Sequence, residues 1–187
     1  MRNLVFRSLL VSLSLVGAVT ILGISLFAGN AQVWSTNGAY DTSRKQLYWS
    51  NDILPDHVAY PVLRAADRAK LEIADPVDRV YLELEFARHR FEASQALLDK
   101  GNATLALTTL TKSQKYLLQA GQTALADEPH LTDTVRFFTL RTLEYYDSAI
   151  TTAKDGFGDA DRAVIDGLQA ELQAVILQLK SVTRSSR

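Results

Sequence analysis

The chain has 187 residues, a formal net charge of -1 and no cysteine. That charge balance offers no basic surplus for nucleic acid or anionic lipid, and the missing thiols exclude a disulfide framework, thiolate metal sites and a cysteine nucleophile. Both charge signs are interspersed outside the first segment, the pattern of a solvated surface around one packed core.

Ser8 to Ala28 contains no Asp, Glu, Lys, Arg or His. About 21 residues at about 1.5 Å each make roughly 31 Å, the thickness of a bilayer's hydrocarbon core, so the run predicts a transmembrane helix. The competing reading is a cleaved secretory signal, with Gly29-Asn30-Ala31 as its cleavage site. Signal cores span only about 7–15 residues, which favours an uncleaved anchor. Arg2 and Arg7 precede the run and no Lys or Arg follows until Arg44, so the N-terminus is expected in the cytoplasm and the rest outside. Trp34 suits headgroup depth. Small residues at Ser8, Ser12, Gly17 and Ser25 give only a weak seam for self-association within the membrane, without a Gly-x-x-x-Gly.

Residues 1–29 thus read as cytoplasmic stub and anchor, 30–56 as an extracytoplasmic connector, 57–184 as a helical bundle and 185–187 as a frayed tail. The connector is rich in Ser, Thr, Asn and Gly, but Tyr40, Tyr48 and Trp49 are too apolar for free solvation. Docking on its own domain is the plainer expectation for Tyr48 and Trp49, and partner binding the sharper one.

Tyr60-Pro61 predicts a short first helix to about Ile73, because proline's missing N–H has no partner in a first turn. Asp75-Pro76 predicts the next start, Asp as N-cap and Pro at the first helical position. Val77, Val80, Tyr81, Leu84, Ala87, Phe91 and Leu98 then follow helical spacing to a left-handed stop at Gly101. Asn102 caps a third helix with an Ala-rich stripe and outward Lys112 and Lys115, so a neighbour should pack close to it.

Asp127-Glu128-Pro129 predicts the fourth helix, with Leu131, Val135, Phe138, Tyr145 and Ala149 on one line. The doublets Phe137-Phe138 and Tyr145-Tyr146 predict contact with two neighbours. Asp155 to Gly158 breaks the chain, and Asp159 caps a fifth helix carrying Val164, Leu168, Leu172, Val175, Leu179 and Val182. Fraying is expected from Ser181. Short loops make sequential helices antiparallel, so the predicted fold is all-α: an N-terminal transmembrane helix plus an up-and-down bundle of four long helices and one short.

Leu54-Pro55-Asp56, Tyr60-Pro61-Val62, Asp67, Leu71 to Ile73, Asp75-Pro76, Leu82, Leu84, Ala87, Arg90, Ala93, Leu97 and Lys100-Gly101 resemble a bacterial, membrane-anchored domain family of unknown function. Leu63 stands where that pattern has Lys, with Arg64 next to it. The resemblance implies a helical extracytoplasmic fold in a bacterium and brings no catalytic residues.

Candidate chemistry is sparse. Glu85 and His89, four apart, supply half a metal site without a second pair. No nucleophile elbow or phosphate-binding Gly loop occurs. Asn102-Ala103-Thr104 fits a glycosylation acceptor, but helix capping accounts for the Asn. Arg79, Arg88 and Arg90 with Glu83, Glu85 and Glu92 read as a solvated face of short-range pairs. Arg90 and Tyr60 come to similar heights if the first helix folds back, and their contact is expected to fix the interhelical angle. The structural set is therefore Tyr60, Pro61, Asp75, Pro76, Arg90 and Gly101.

The expected function is protein interaction or scaffolding, without enzymatic activity, cofactor or metal, and with an unknown protein as partner or a second copy of the chain. The alternative is small-molecule sensing between the third and fourth helices near Arg141, Tyr145 and Tyr146. Only about seven residues precede the anchor, so a sensor would signal through a partner protein.

Overall fold

The computed structural model describes residues 54–57, 60–126 and 128–185. The anchor at Ser8–Ala28, Trp34, and the connector with Tyr48 and Trp49 lie outside these residues. Among the described residues no helix is long and apolar enough to cross a membrane, and all regular structure is helical. The elements are α1 (Tyr60–Ile73), α2 (Pro76–Asp99), α3 (Ala103–Leu125), α4 (Asp133–Ala153), a 3₁₀ turn (Lys154–Gly156) and α5 (Asp159–Ser185).

The boundaries follow local chemistry. Asp75 Oδ1 accepts the Asp78 N–H at 2.8 Å, ahead of Pro76 at the first helical position. At the other end of α2, Gly101 has φ +76°. The Gly101 N–H bonds the Leu98 carbonyl at 2.8 Å and the Asn102 N–H the Leu97 carbonyl at 2.9 Å, a Schellman stop that a residue with a Cβ adopts only under strain. Asn102 Oδ1 then caps α3 through the Leu105 N–H at 3.2 Å.

Cross-helix bonds set the directions. Ser94 Oγ donates to the Ala106 carbonyl at 2.9 Å and Ser113 Oγ to the Ala87 carbonyl at 2.7 Å, so α2 and α3 are antiparallel and close. Small side chains permit that approach, as the Ala-rich stripe predicts. Gln169 Nε2 donates to Asp147 Oδ1 at 2.8 Å and Lys180 Nζ pairs with Glu144 at 2.8 Å, which makes α4 and α5 antiparallel. α3 lies between α2 and α5, while α4 closes against α5 and α3 and touches α2. The core holds Leu97, Leu110, Leu117, Leu143, Ile150, Ile165, Leu172 and Leu179, all fully buried.

Several expectations are corrected. The fourth helix starts at Asp133, with Thr132 as N-cap accepting the Val135 N–H at 3.4 Å. Pro129 instead lies in a turn closed by the Leu131 N–H on the Glu128 carbonyl at 3.1 Å, which lets Leu131 enter the core ahead of the helix. α5 continues to Ser185 rather than fraying from Ser181, since Leu179 is buried and Thr183 Oγ1 bonds the Leu179 carbonyl at 2.7 Å. The buried line of α5 is Ile165, Leu172, Val175, Ile176 and Leu179, and Val164 and Val182 face outward. In the α4 doublets only Phe138 and Tyr146 join the core, leaving Phe137 and Tyr145 exposed. Leu97, one position before Leu98, is the fully buried residue of its turn.

Candidate functional site

The described residues present two surfaces able to carry recognition: a polar cleft beneath α1 and an aromatic strip on α4. α1 runs antiparallel to α2, and polar contacts tie it down. Arg90 Nη2 donates to Asp67 Oδ2 at 2.8 Å, with both residues 8% exposed. The same guanidinium lies 5.0 Å from the centroid of the buried Tyr60 ring. Near the opposite end, Arg79 Nη2 donates to the Leu71 carbonyl at 2.8 Å. Arg90 therefore neutralises a carboxylate and stacks on an aromatic face at once, a combination suited to the planar, weakly hydrated guanidinium. Burial pushes the Asp67 carboxyl above its usual range, although Arg90 acts against the shift.

The expectation of a wholly solvated charge face on α2 fails here. Glu83 and Arg90 are buried, while Arg88 and Glu92 form the exposed pair at 3.1 Å. The signal lay in the register, because Glu83, Phe86, Arg90, Ser94 and Leu97 recur every three or four residues and make a second buried line under α1 and α3. Glu83 Oε2 accepts from Thr123 Oγ1 at 2.9 Å. Desolvation raises the Glu83 carboxyl, with the Thr123 bond and the Arg79 charge opposing. Lys112, expected outward, is half-buried, and its amine is lowered by burial and by the nearby Arg64 and Arg90.

Between α1 and the α2–α3 pair lies a cleft of about 800 Å³. Arg64 and Arg68 line it from α1, Arg79 and Glu83 from α2, and Tyr116 and Thr123 from α3. Tyr116 packs edge-on against Phe86, ring centroids 5.6 Å apart. Sequence reasoning missed Tyr116 because one aromatic in an Ala-rich helix gives no sign of what lies opposite it.

The second surface is α4. Phe137, Arg141 and Tyr145 stand one turn apart on its exposed side, with the Arg141 guanidinium 5.5 Å from the Phe137 ring centroid and Arg141 Nη1 donating to Glu144 at 3.2 Å. Arg141, Tyr145 and Tyr146 do not form the expected pocket between α3 and α4. Tyr146 turns inward onto Phe91 of α2, centroids 5.6 Å apart, and burial pushes its hydroxyl up to about 12. Tyr145 instead borders an open groove of about 760 Å³ between α2 and α4, with Phe91, Gln95 and Leu98 on the far wall. The correction follows from helical geometry, since neighbouring side chains point about 100° apart and one wet, one dry is the ordinary outcome.

Glu85 Oε1 lies 3.5 Å from His89 Nε2, and among the described residues no three His, Cys, Asp or Glu side chains are grouped to hold a metal. No curated protein and no solved structure matches the chain. Residues 52–173, however, match one family along their length, from the segment ahead of α1 into the middle of α5. Both surfaces fall within the match, and the chain accordingly belongs to the family described as a domain of unknown function, DUF5667.

Proposed function

We propose that this chain is a single-pass bacterial membrane protein whose extracytoplasmic helical bundle works by contact with another protein, as an interaction or scaffolding module. The observation that carries the reading is the α4 strip, where Tyr145 is 67% and Phe137 46% exposed and Arg141 stands between them. Single exposed apolar residues are ordinary on a protein surface. An aromatic, an arginine and an aromatic in line on one rigid helix match the residue types concentrated at interface hot spots. The uncharged run Ser8–Ala28 supports the anchor, and the resemblance of Leu54–Gly101 supports the bacterial, extracytoplasmic setting.

The test is crosslinking and recovery from intact cells, with the parent chain beside a Phe137→Ser, Tyr145→Ser variant. The variant should keep the helical circular dichroism and thermal midpoint of the parent while its crosslinked yield drops by about tenfold, the scale of one lost hot spot. Undiminished crosslinking overturns the strip as the docking face. An adduct of twice the chain mass would identify the partner as a second copy. Protease shaving of whole cells tests orientation: a C-terminal portion that survives while other envelope proteins are cut defeats the extracytoplasmic placement.

Small-molecule sensing through a partner stands as the second reading, favoured by the cleft beneath α1.

A further inference from the structure

The groove between α2 and α4 has two unlike halves. At one end Phe91 packs edge-on against Tyr146, and Tyr146 against Tyr145 with ring centroids 5.1 Å apart. Three rings thus follow one another from α2 to α4, and the last of them, Tyr145, is left exposed. Toward the C-terminal ends of both helices the α4 wall is made of small residues, Ala149 and Ala153, with Leu98 and Asp99 on the α2 side. Small side chains leave the space open, and the exposed ring at its head offers an edge or face to another aromatic.

Gln95 lies between these halves on the α2 wall, and its Nε2 is buried without a hydrogen-bond partner among the described residues. Buried donors are satisfied in nearly all native structures. A side-chain amide swings on its broad terminal torsion, so an extended segment laid over Gln95 brings backbone carbonyls within its reach.

The course of the chain says which segment that is. Asp56 Oδ2 lies 3.5 Å from Lys100 Nζ, directly after the groove residue Asp99, so the polypeptide enters the bundle at this end of the groove. Leu54 and Pro55 are half-buried. Trp49 stands seven residues before Asp56, next to Tyr48. Seven extended residues span up to roughly 25 Å, whereas α2 from Asp99 back to Phe91 covers only about 12 Å. The reach therefore exceeds the length of the groove.

We propose that the segment Tyr48–Ile53 of this chain docks in the α2–α4 groove, with the Trp49 ring against Tyr145 and Phe91 and a backbone carbonyl on Gln95 Nε2. A tethered segment competes at an effective concentration of about millimolar, which favours it over a separate molecule of similar composition. The proposal goes beyond the interaction reading, because the chain itself fills the groove and leaves Phe137 and Arg141 open to a partner.

Trp34→Phe leaves Trp49 as the chain's one tryptophan. With the full chain in non-ionic detergent, acrylamide quenching of Trp49 should be at least about threefold weaker than that of N-acetyltryptophanamide, since burial of a large ring keeps the docked state dominant. Ala149→Arg fills the groove and should restore the quenching, and Thr152→Arg replaces it if the helical circular dichroism is disturbed. A Trp49 as open to acrylamide as the free amide overturns the proposal. Protection that survives the groove variants also overturns it and assigns Trp49 to the detergent surface.

The absence of native cysteine permits a second measurement. Ser148 lines the groove, while Glu171 is exposed on α5 outside it. A short bismaleimide should join Ser50→Cys to Ser148→Cys within one chain at least about fivefold faster than Ser50→Cys to Glu171→Cys. Equal rates overturn docking in the groove, as does an adduct formed mainly between two chains.

Discussion

The two contacts that α2 makes with its chain neighbours are built on opposite principles. Against α3 it is closed by small residues and buried leucines, with Ser94 and Ser113 bonding carbonyls across the seam. Against α1 it is closed by Arg90 on Asp67, Arg90 on the Tyr60 ring and Arg79 on the Leu71 carbonyl. Apolar burial is additive and undirected, so the α2–α3 seam carries stability. A buried ion pair repays its desolvation only while both partners stay in place, so the α1 contact fixes position more than it adds stability. α1 accordingly leaves Val62 56% and Ile73 74% exposed, and a helix held in this way is free to detach locally without unfolding the bundle.

The largest effect should come from the seam. Leu117 is fully buried, and Leu117→Ala should cost about 3 kcal/mol through lost transfer energy and the cavity left behind. Urea unfolding should show one cooperative transition moved as a whole. A cost below about 1 kcal/mol would mean that the seam relaxes and is no core, which would break the contrast.

Arg90→Ala comes next, at about 2 kcal/mol, below the usual figure of about 3–5 for a stranded buried charge because α1 can lift and hydrate Asp67. Hydrogen exchange should speed up across α1 while α3 and α5 keep their protection. Pairing Arg90→Met with Asp67→Leu should restore most of the loss. Uniform loss of protection across all five helices would show that α1 is part of the cooperative core after all.

The smallest effect is the pH dependence. Burial raises the folded-state values of Asp67 and Glu83, so folding favours their protonated forms. Their contribution is complete below the ordinary carboxylate values of about 4 and is lost as pH rises through the raised values. Glu144 has the opposite sign: its hydrogen bond from Lys180 lowers it, so its contribution is present above the ordinary range and lost as pH falls through the lowered value. Asp67→Asn should therefore flatten the gain in stability on acidification relative to the parent, and Glu144→Gln should steepen it. Urea midpoints between about pH 3 and 7 measure both, and identical slopes in the three proteins would remove the electrostatic half of the contrast.

Punctuation was readable in advance wherever one residue's covalent geometry decides it. Pro76 cannot donate, Asp75 can accept, and Gly101 takes a left-handed φ without a Cβ penalty, so those boundaries stand where the letters place them. The start of α4 was misread because Pro129 serves a turn as readily as a helix, and only the burial of Leu131 decides between them. The doublets at Phe137 and Tyr145 were misread for a related reason: two adjacent aromatics are equally hydrophobic on paper, and helix direction selects one for the core.

At the α1 cleft the sequence supplied the pairing of Tyr60 with Arg90 but not the character of its surroundings. Glu83 and Tyr116 belong to different helices, 33 positions apart in the chain, and no local pattern says that they share a wall. The letters by themselves determined that this chain makes helices, where most begin and end, and that residues 8–28 carry no charge, because these are properties of spacing and of single side chains. Which charged residues go inside and which aromatic of a pair stays wet were decided by how the helices lie against one another. Burial and electrostatic pairing are set by distance in space, and an amphipathic helix fixes only the face it offers.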